Sequence, residues 1–252
     1  PRNSLGAEDK DRHFAGGEAE GWVAYAIGQT SYAPVPWDKE AIAFYLRNGW
    51  HELHGVAQGP MAEVVGNLAD LSDKDVDAIA AYVASLMGRP DAKRKAAAER
   101  LQAEISRPGA SAAKGDSQAA SGGGADTAGA AIYASACAFC HEGGRAPPYG
   151  GLDFRLSTAV DAPNPQNMIN VTLFGLPPAD GEASAVMPGF AASLDDRQIA
   201  NLLAFIRKRF SNGTAWDGIA DMVRRTRSGE HKVAVRPADS IERAPVNVGA
   251  KE

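Results

Sequence analysis

Two segments of the chain repeat apolar residues at intervals of three and four positions. They cover residues 76–83 and 199–206, and each places its apolar side chains on one face of a helix. Acidic or hydroxyl residues suited to a helix N-terminus precede both segments, at Ser72-Asp73 and Asp195-Asp196. The pattern therefore predicts two amphipathic helices.

The similarity between the two segments continues upstream. Each of two further predicted helices ends at a glycine that is followed 12 residues later by a methionine: helix 38–48 with Gly49 and Met61, and helix 165–174 with Gly175 and Met187. The offset between the copies is 126 residues at the glycine and the methionine, and 123 at the amphipathic helix. A repeat with one three-residue deletion explains both offsets. We therefore expect two similar helical units.

Composition changes between these units. Residues 88–107 are rich in Ala, Lys, Arg and Glu and predict an exposed helix, and residues 108–126 are small and polar. We divide the chain into a first unit (1–88), a flexible linker (89–126), a second unit (127–212) and a C-terminal tail (213–252). In the tail we expect a short helix whose apolar face covers the core, and little fixed structure after Ser228.

Charge and hydropathy exclude several classes of protein. The net charge of −5 over 252 residues leaves no electrostatic footprint for nucleic acid. No apolar run reaches the roughly 18 residues that span a bilayer. Short basic runs at 207–209 and 224–225 are typical of solvated faces. The first residue is Pro rather than Met, so we expect a processed product or a fragment.

The strongest chemical signal is a pentapeptide in the second unit. Residues 137–141 read C-A-F-C-H and contain both cysteines of the chain. Two thiols at this spacing can form thioether bonds to the vinyl groups of a haem, and His141 then binds the iron. A thioredoxin-like dithiol would need a βαβ pattern, and a zinc site would need four Cys or His ligands. A disulfide between Cys137 and Cys140 would leave His141 unexplained.

The remaining ligands follow from haem chemistry. The second ring nitrogen of His141 needs an acceptor, and the carbonyls of Pro147-Pro148 are candidates. Met187 is our candidate for the sixth ligand, because Met168 lies within a predicted helix and Met222 within the tail. Pro148 and Tyr149 complete the predicted haem-binding set. His/Met ligation leaves no open position on the iron, which favours electron transfer over oxygen or peroxide chemistry.

Residues 127–210 resemble a class I cytochrome c domain. Gly129 and Tyr133 precede Cys137 at four-residue steps, as in the first helix of that family, and the M-P-x-F run from Met187 resembles its methionine loop. The resemblance implies one covalently attached haem c. It also implies that Gly129 and Tyr133 cross the final helix near Leu202 and Phe205.

The first unit resembles the C-terminal part of a second cytochrome c domain. Met61 would be its axial ligand, but the unit contains no C-x-x-C-H motif. Either the attachment motif lies upstream of this sequence or the unit carries no haem. We favour the first alternative, because a methionine loop without a haem has little reason to exist. The predicted fold is thus all-α, with two cytochrome c-like domains, the first lacking its haem-attachment helix.

The whole pattern resembles the multihaem cytochrome c subunits of bacterial periplasmic dehydrogenases. Such subunits occur with alcohol and aldehyde dehydrogenases and with molybdenum hydroxylases. This resemblance implies an electron-transfer subunit rather than an enzyme. Its partners would be a molybdenum- or quinoprotein-type dehydrogenase subunit and a quinone or terminal oxidase. It would lie in the periplasm, attached to the inner membrane by a segment outside this sequence. The alternatives are a dihaem peroxidase-like enzyme, the c-type haem subunit of a terminal oxidase and a disulfide-bonded binding module without redox activity.

Overall fold

The computed structural model describes residues 13–107, 124–145, 150–177 and 186–235. Over these ranges the chain is mostly helical, which confirms the predicted fold class. The helices are α1 (Lys39–Asn48), α2 (Pro60–Leu68), α3 (Asp73–Met87), α4 (Ala92–Ile105), α5 (Gly124–Ala136), α6 (Ala138–His141), α7 (Thr158–Asp161), α8 (Gln166–Phe174), α9 (Asp196–Phe210) and α10 (Ile219–Arg227), with a 3-10 turn at Phe154–Leu156. None of the described helices combines the length and the apolar character needed to cross a bilayer.

Two short antiparallel hairpins accompany the helices. Strands β1 (Gly17–Ala19) and β2 (Trp22–Ala24) form the first, and β3 (Trp50–His51) and β4 (Gly55–Val56) form the second. The helical periodicity did not indicate either hairpin.

The four helices of the repeat are present as predicted. The Asp38 carboxylate accepts a hydrogen bond from the Ala41 N–H at the start of α1, and α1 ends at Gly49 with φ 71°. A capping box between Asp195 and Gln198 begins α9. Helix α1 packs on α3 in the first unit, and α8 packs on α9 in the second. Each pair buries its apolar face in a separate core.

Helix α5 crosses α9 at a glycine. A Cβ atom at Gly129 would collide with the Asn201 carbonyl oxygen and lie 2.8 Å from the Phe205 Cβ. One turn later, the Tyr133 ring lies 5.5 Å from the Phe205 ring and is 1% exposed. The predicted crossing of Gly129 and Tyr133 over the final helix is therefore confirmed.

The corresponding face of α3 has no such cover among the described residues. Tyr82 stands at the position of Phe205 in the repeat, yet its side chain is 67% exposed. In the second unit α5 covers this aromatic position. The two copies therefore differ in that the first unit has no counterpart of α5 among the described residues.

Helix α4 lies within the predicted linker but is packed against both units. Ala98 is 3% exposed and forms an apolar cluster with Val35 of the first unit and Leu156 of the second. The predicted helix is thus present and exposed at half of its residues, but one face packs against partners from distant parts of the chain, which the prediction did not anticipate. The small, polar stretch 108–123 lies outside the described residues.

The C-terminal tail covers the second unit, as predicted, and extends further than predicted. Trp216, Ile219 and Val223 are buried in the core of the second unit. Beyond Ser228, the Ala234 carbonyl accepts a hydrogen bond from the Trp22 indole at 2.8 Å, and the Ala234 N–H donates to the Glu20 carbonyl. The expectation of little fixed structure is thus wrong up to residue 235, and residues 236–252 lie outside the described ranges.

The basic run at 207–209 is solvated only at Lys208, whereas Arg207 and Arg209 make internal contacts. The Arg207 guanidinium is buried, donates to the Val160 and Thr214 carbonyls and lies 4.8 Å from the Trp216 ring centroid. Arg209 pairs with Glu142 at 2.8 Å. The two arginines of α9 that face inward thus form hydrogen bonds and an ion pair within the protein. A run of basic residues in the sequence does not indicate such contacts.

Candidate functional site

The two cysteines and His141 lie on a single helical turn at the end of α5. The N–H groups of Cys140 and His141 donate to the Cys137 carbonyl at 3.2 and 3.0 Å. Cys137 is buried, Cys140 is exposed, and both are free thiols. Burial raises the pKa of the Cys137 thiol to about 11. Since residues three and four apart on a helix are neighbours, Cys137 lies on the same side of this turn as Cys140 and His141.

The His141 ring is held by stacking and by one hydrogen bond. Its plane lies 13° from that of Phe154, with ring centroids 4.1 Å apart. Its Nδ1 lies 2.8 Å from the Leu152 carbonyl oxygen. Because a carbonyl only accepts, Nδ1 carries the proton and Nε2 keeps a lone pair for a metal ion. Burial also lowers the pKa of His141, which favours the neutral ring.

The partner of Nδ1 differs from the predicted one. The sequence suggested a carbonyl of Pro147-Pro148, whereas the structure uses Leu152, 11 residues after His141. Gly151 permits this approach, because a Cβ atom there would lie 2.8 Å from Nδ1. The predicted haem contacts of Pro148 and Tyr149 lie outside the described residues.

A buried polar network fixes the attachment turn to the final helix. The Tyr133 hydroxyl donates to the Glu142 carboxylate at 2.7 Å, and Arg209 pairs with the same carboxylate. The Arg209 guanidinium also lies 5.0 Å from the centre of the Tyr133 ring. Burial and the Glu142 contact raise the pKa of Tyr133, so this hydroxyl remains a donor. The residue after His141 is thereby tied to both α5 and α9.

Met187 lies in an extended segment that docks on the end of α8. Its backbone pairs with Leu176 in both directions, at 2.8 and 3.1 Å. Two glycines allow the close approach, since a Cβ at Gly175 would strike the Met187 carbonyl and one at Gly189 would lie 2.7 Å from the Leu173 carbonyl. Backbone contacts therefore hold the methionine loop in place, and the Met187 side chain is not needed for this.

Met168 and Met187 of the second unit and Met222 of the tail differ in their packing. Met168 is 7% exposed and belongs to the core, and Met222 packs against that core. Met187 is half-buried and is not part of this cluster in the described portion of the chain. Of the three, only Met187 is not engaged in core packing, which agrees with the ligand role predicted for it.

Met61 occupies a different backbone setting from Met187. It follows Pro60 in the first turn of α2, is half-buried and packs against the core of the first unit. The repeat therefore holds for the glycines and helices, but not for the local conformation at the methionine.

A second aromatic and histidine cluster lies in the first unit. The His54 ring stacks on Trp37 at 3.7 Å and 12°, and the His51 ring lies 4.9 Å away. Both His54 ring nitrogens are buried without a hydrogen-bond partner among the residues that the structure describes. Burial, aided by His51, lowers the pKa of His54 to about 3. The H-x-x-H spacing just after α1 was the available sequence signal, and our predictions did not use it.

The residues around His141 fit a covalently bound haem. Two thiols on one turn and an imidazole with its Nδ1 proton committed to a carbonyl are the attachment set that such a cofactor requires, and the Met187 thioether stays the predicted second ligand. Leu152 and Phe154 belong to this site but were missed, because neither a leucine carbonyl nor a phenylalanine ring carries a metal-binding signature in sequence.

Comparison with known proteins supports this assignment. Residues 124–206 match the family described as cytochrome c oxidase, cbb3-type, subunit III. The chain is 35% identical over 237 residues to a nicotinate dehydrogenase subunit of Pseudomonas putida, covering 92% of this chain and 18% of that protein. It is 28% identical to the fructose dehydrogenase cytochrome subunit of Gluconobacter japonicus, over 92% of this chain and 49% of that protein.

A third relative is the cytochrome c subunit of the quinone-type alcohol dehydrogenase of Gluconobacter oxydans. The identity is 29%, over 83% of this chain and 42% of that subunit. The chain thus spans between about a fifth and a half of the length of these three relatives.

Proposed function

Because residues 124–206 of this chain form a cytochrome c domain, whose cofactor is a covalently attached haem c, we propose that the chain is an electron-transfer part of a bacterial dehydrogenase complex. The observation that carries this proposal is the attachment turn itself. Cys137 and Cys140 precede His141 on one turn, and the Nδ1 of His141 is bonded to the Leu152 carbonyl, which leaves Nε2 as the ring nitrogen available to a metal ion. When bound, the haem supplies one-electron chemistry.

The protein's own residues hold and enclose that cofactor. Cys137 and Cys140 would anchor it, and His141 and Met187 would bind its iron. The Phe154 ring stacks on His141, and the α5–α9 crossing beside it is buried. With two side chains bound to the iron, no position on it would be left for a substrate, which favours transfer of electrons over catalysis.

We extend the proposal to a second haem in the first unit, with Met61 as the ligand of its iron, although Met61, unlike Met187, lies in a helix and packs against a core. Two observations support it. The His54 nitrogens, buried beside Trp37, lack among the described residues the partners that buried polar groups normally have, and a cofactor carboxylate would accept a hydrogen bond from the one that carries the proton. The α3 face bearing Tyr82 is open where α5 covers α9. We retain the two units 1–88 and 127–212, the first completed by an attachment helix outside the given sequence.

The partner is proposed from the relatives. Their names attach them to nicotinate, fructose and alcohol dehydrogenases. We assign this chain a dehydrogenase subunit as electron donor and a quinone or terminal oxidase as acceptor. We also propose a periplasmic location associated with the inner membrane, because the c-type haem motif is typical of bacterial proteins that mature outside the cytoplasm.

A ligand-replacement experiment tests the core of the proposal. The chain is produced with haem maturation, and covalent haem is measured by the pyridine haemochrome method. We expect one haem bound through Cys137 and Cys140. In Met187→Ala the reduced spectrum should lose its low-spin character, whereas the matched variant Met222→Ala should keep it. Absence of covalent haem, or an unchanged spectrum in Met187→Ala, would contradict the assignment.

A further inference from the structure

The orientation of His141 depends on one backbone carbonyl. The Leu152 oxygen accepts the Nδ1 proton at 2.8 Å, and Gly151 leaves the space for that contact. This bond sets the ring plane and makes the other nitrogen a stronger donor to a metal ion. Whatever holds Leu152 in place therefore influences the haem ligand.

The Leu152 side chain packs against residues that lie far from the haem motif in the sequence. It packs in an apolar cluster to which the first unit, α4 and the second unit all contribute: Val35, Leu53, Ala98, Leu101, Ile105 and Leu156. The backbone of β4 also passes close, because a Cβ atom at Gly55 would lie 3.8 Å from a Leu152 methyl carbon. The cluster joins three separate stretches of sequence at the residue that orients His141.

The N-terminal end of α4 is fastened to the first unit. The Arg94 guanidinium donates to four backbone carbonyls, at distances between 2.8 and 3.4 Å: those of Gly28, Gln29, Ser31 and Ala33. An arginine is suited to this because its five donors form a rigid fork.

The C-terminal end of α4 is fastened beside Leu152. Glu104 lies 3.5 Å from Arg155, which is 11% exposed and pairs with Asp153 at 2.5 Å. Asp153 is the residue after Leu152 in the chain. Both ends of α4 are thus anchored, one on each unit, with the Leu152 cluster between them.

We propose that α4 is a brace that positions the Leu152 carbonyl and so tunes the haem ligand His141; this rests on the proposed function. Leu101 of α4 and Leu53 of the first unit are positioning residues. A firm Nδ1–H···O bond makes the imidazole more electron-rich, which stabilises the ferric state and lowers the reduction potential. Loosening the brace weakens that bond and raises the potential.

The test uses the whole haem-loaded chain with Leu101→Ala, and with Leu53→Ala as an independent approach from the other side of the cluster. The midpoint potential is measured by spectroelectrochemical titration. Solvent exchange of the His141 Nδ1 proton is followed by NMR. We expect a positive shift of potential and faster proton exchange in both variants, with Leu101→Met restoring the parent values.

A matched control separates positioning from general loss of stability. Leu46→Ala removes the same side chain from the separate core of the first unit, outside the Leu152 cluster. It should leave the potential unchanged. The inference is overturned if Leu101→Ala and Leu53→Ala bind haem at the parent potential, or if Leu46→Ala shifts it equally. A parent chain without covalent haem would overturn the proposed function, and this inference with it.

Discussion

The side chains nearest His141 and His54 show how burial sets the state of a single residue. Both imidazoles are stacked on an aromatic ring, and burial lowers the pKa of each. Their partners differ: His141 has the Leu152 carbonyl, whereas the His54 nitrogens have none within the described ranges. A buried neutral histidine contributes stability that depends on pH, because the unfolded chain can take up a proton that the folded chain cannot.

We predict that His54 makes the fold sensitive to mild acid. Its pKa is 6.5 in its ordinary state and about 3 when folded. The contribution is therefore complete above pH 6.5 and is lost as the pH falls, by about 1.4 kcal/mol per pH unit at most. His54→Phe should flatten the fall in unfolding free energy between pH 6 and 4, measured by urea denaturation. The exposed-ring variant Tyr82→Phe should keep the parent slope; an equal slope in His54→Phe would contradict the prediction.

Secondary-structure elements from distant parts of the chain are joined by side-chain amides. Asn167 on α8 brackets Val23 of β2, accepting its N–H at 2.9 Å and donating to its carbonyl at 2.8 Å. Asn170, fully buried one turn later, donates to the Gly21 carbonyl. The amide side chains of α8 thus act as hydrogen-bond partners for a hairpin that has no further strand beside it in the described part of the chain.

We expect Asn167→Ala to release the β1–β2 hairpin from α8. Two hydrogen bonds of a partly buried amide are lost, at a cost of about 1–2 kcal/mol in unfolding free energy. Hydrogen exchange of residues 17–24 should accelerate, and the urea midpoint should fall. Asn212→Ala, at an exposed position after α9, serves as the control and should change neither quantity. Unchanged exchange in the hairpin would show that other contacts hold it.

At the scale of the whole molecule, three connections among the described residues join the first unit to the second. They are the hairpin on α8, the strand-like tail against Glu20 and Trp22, and the α4 brace. The chain is therefore better described as two joined units than as two domains on a free tether.

This arrangement predicts that the two units unfold together. Pulsed hydrogen exchange across a urea series should give the same midpoint for peptides of α3 and of α9. Arg94→Ala removes the anchor of α4 on the first unit and should lower the free energy of unfolding measured at α3 by about 2 kcal/mol, which moves the α3 midpoint to lower urea. Arg100→Ala, exposed on the same helix, should leave the midpoints coincident. Separate midpoints in the parent chain would contradict the coupling.

The sequence by itself determined the haem chemistry and the main helices. Haem attachment needs two thiols and an imidazole within one helical turn, and an amphipathic helix needs only apolar residues at intervals of three and four. Both features can therefore be recognised from residues that are close together in the sequence. The tertiary structure alone decided that Leu152 orients His141, that α4 is a brace and that Arg207 and Arg209 face inward. These depend on contacts between residues far apart in the chain, whose partners no local pattern specifies.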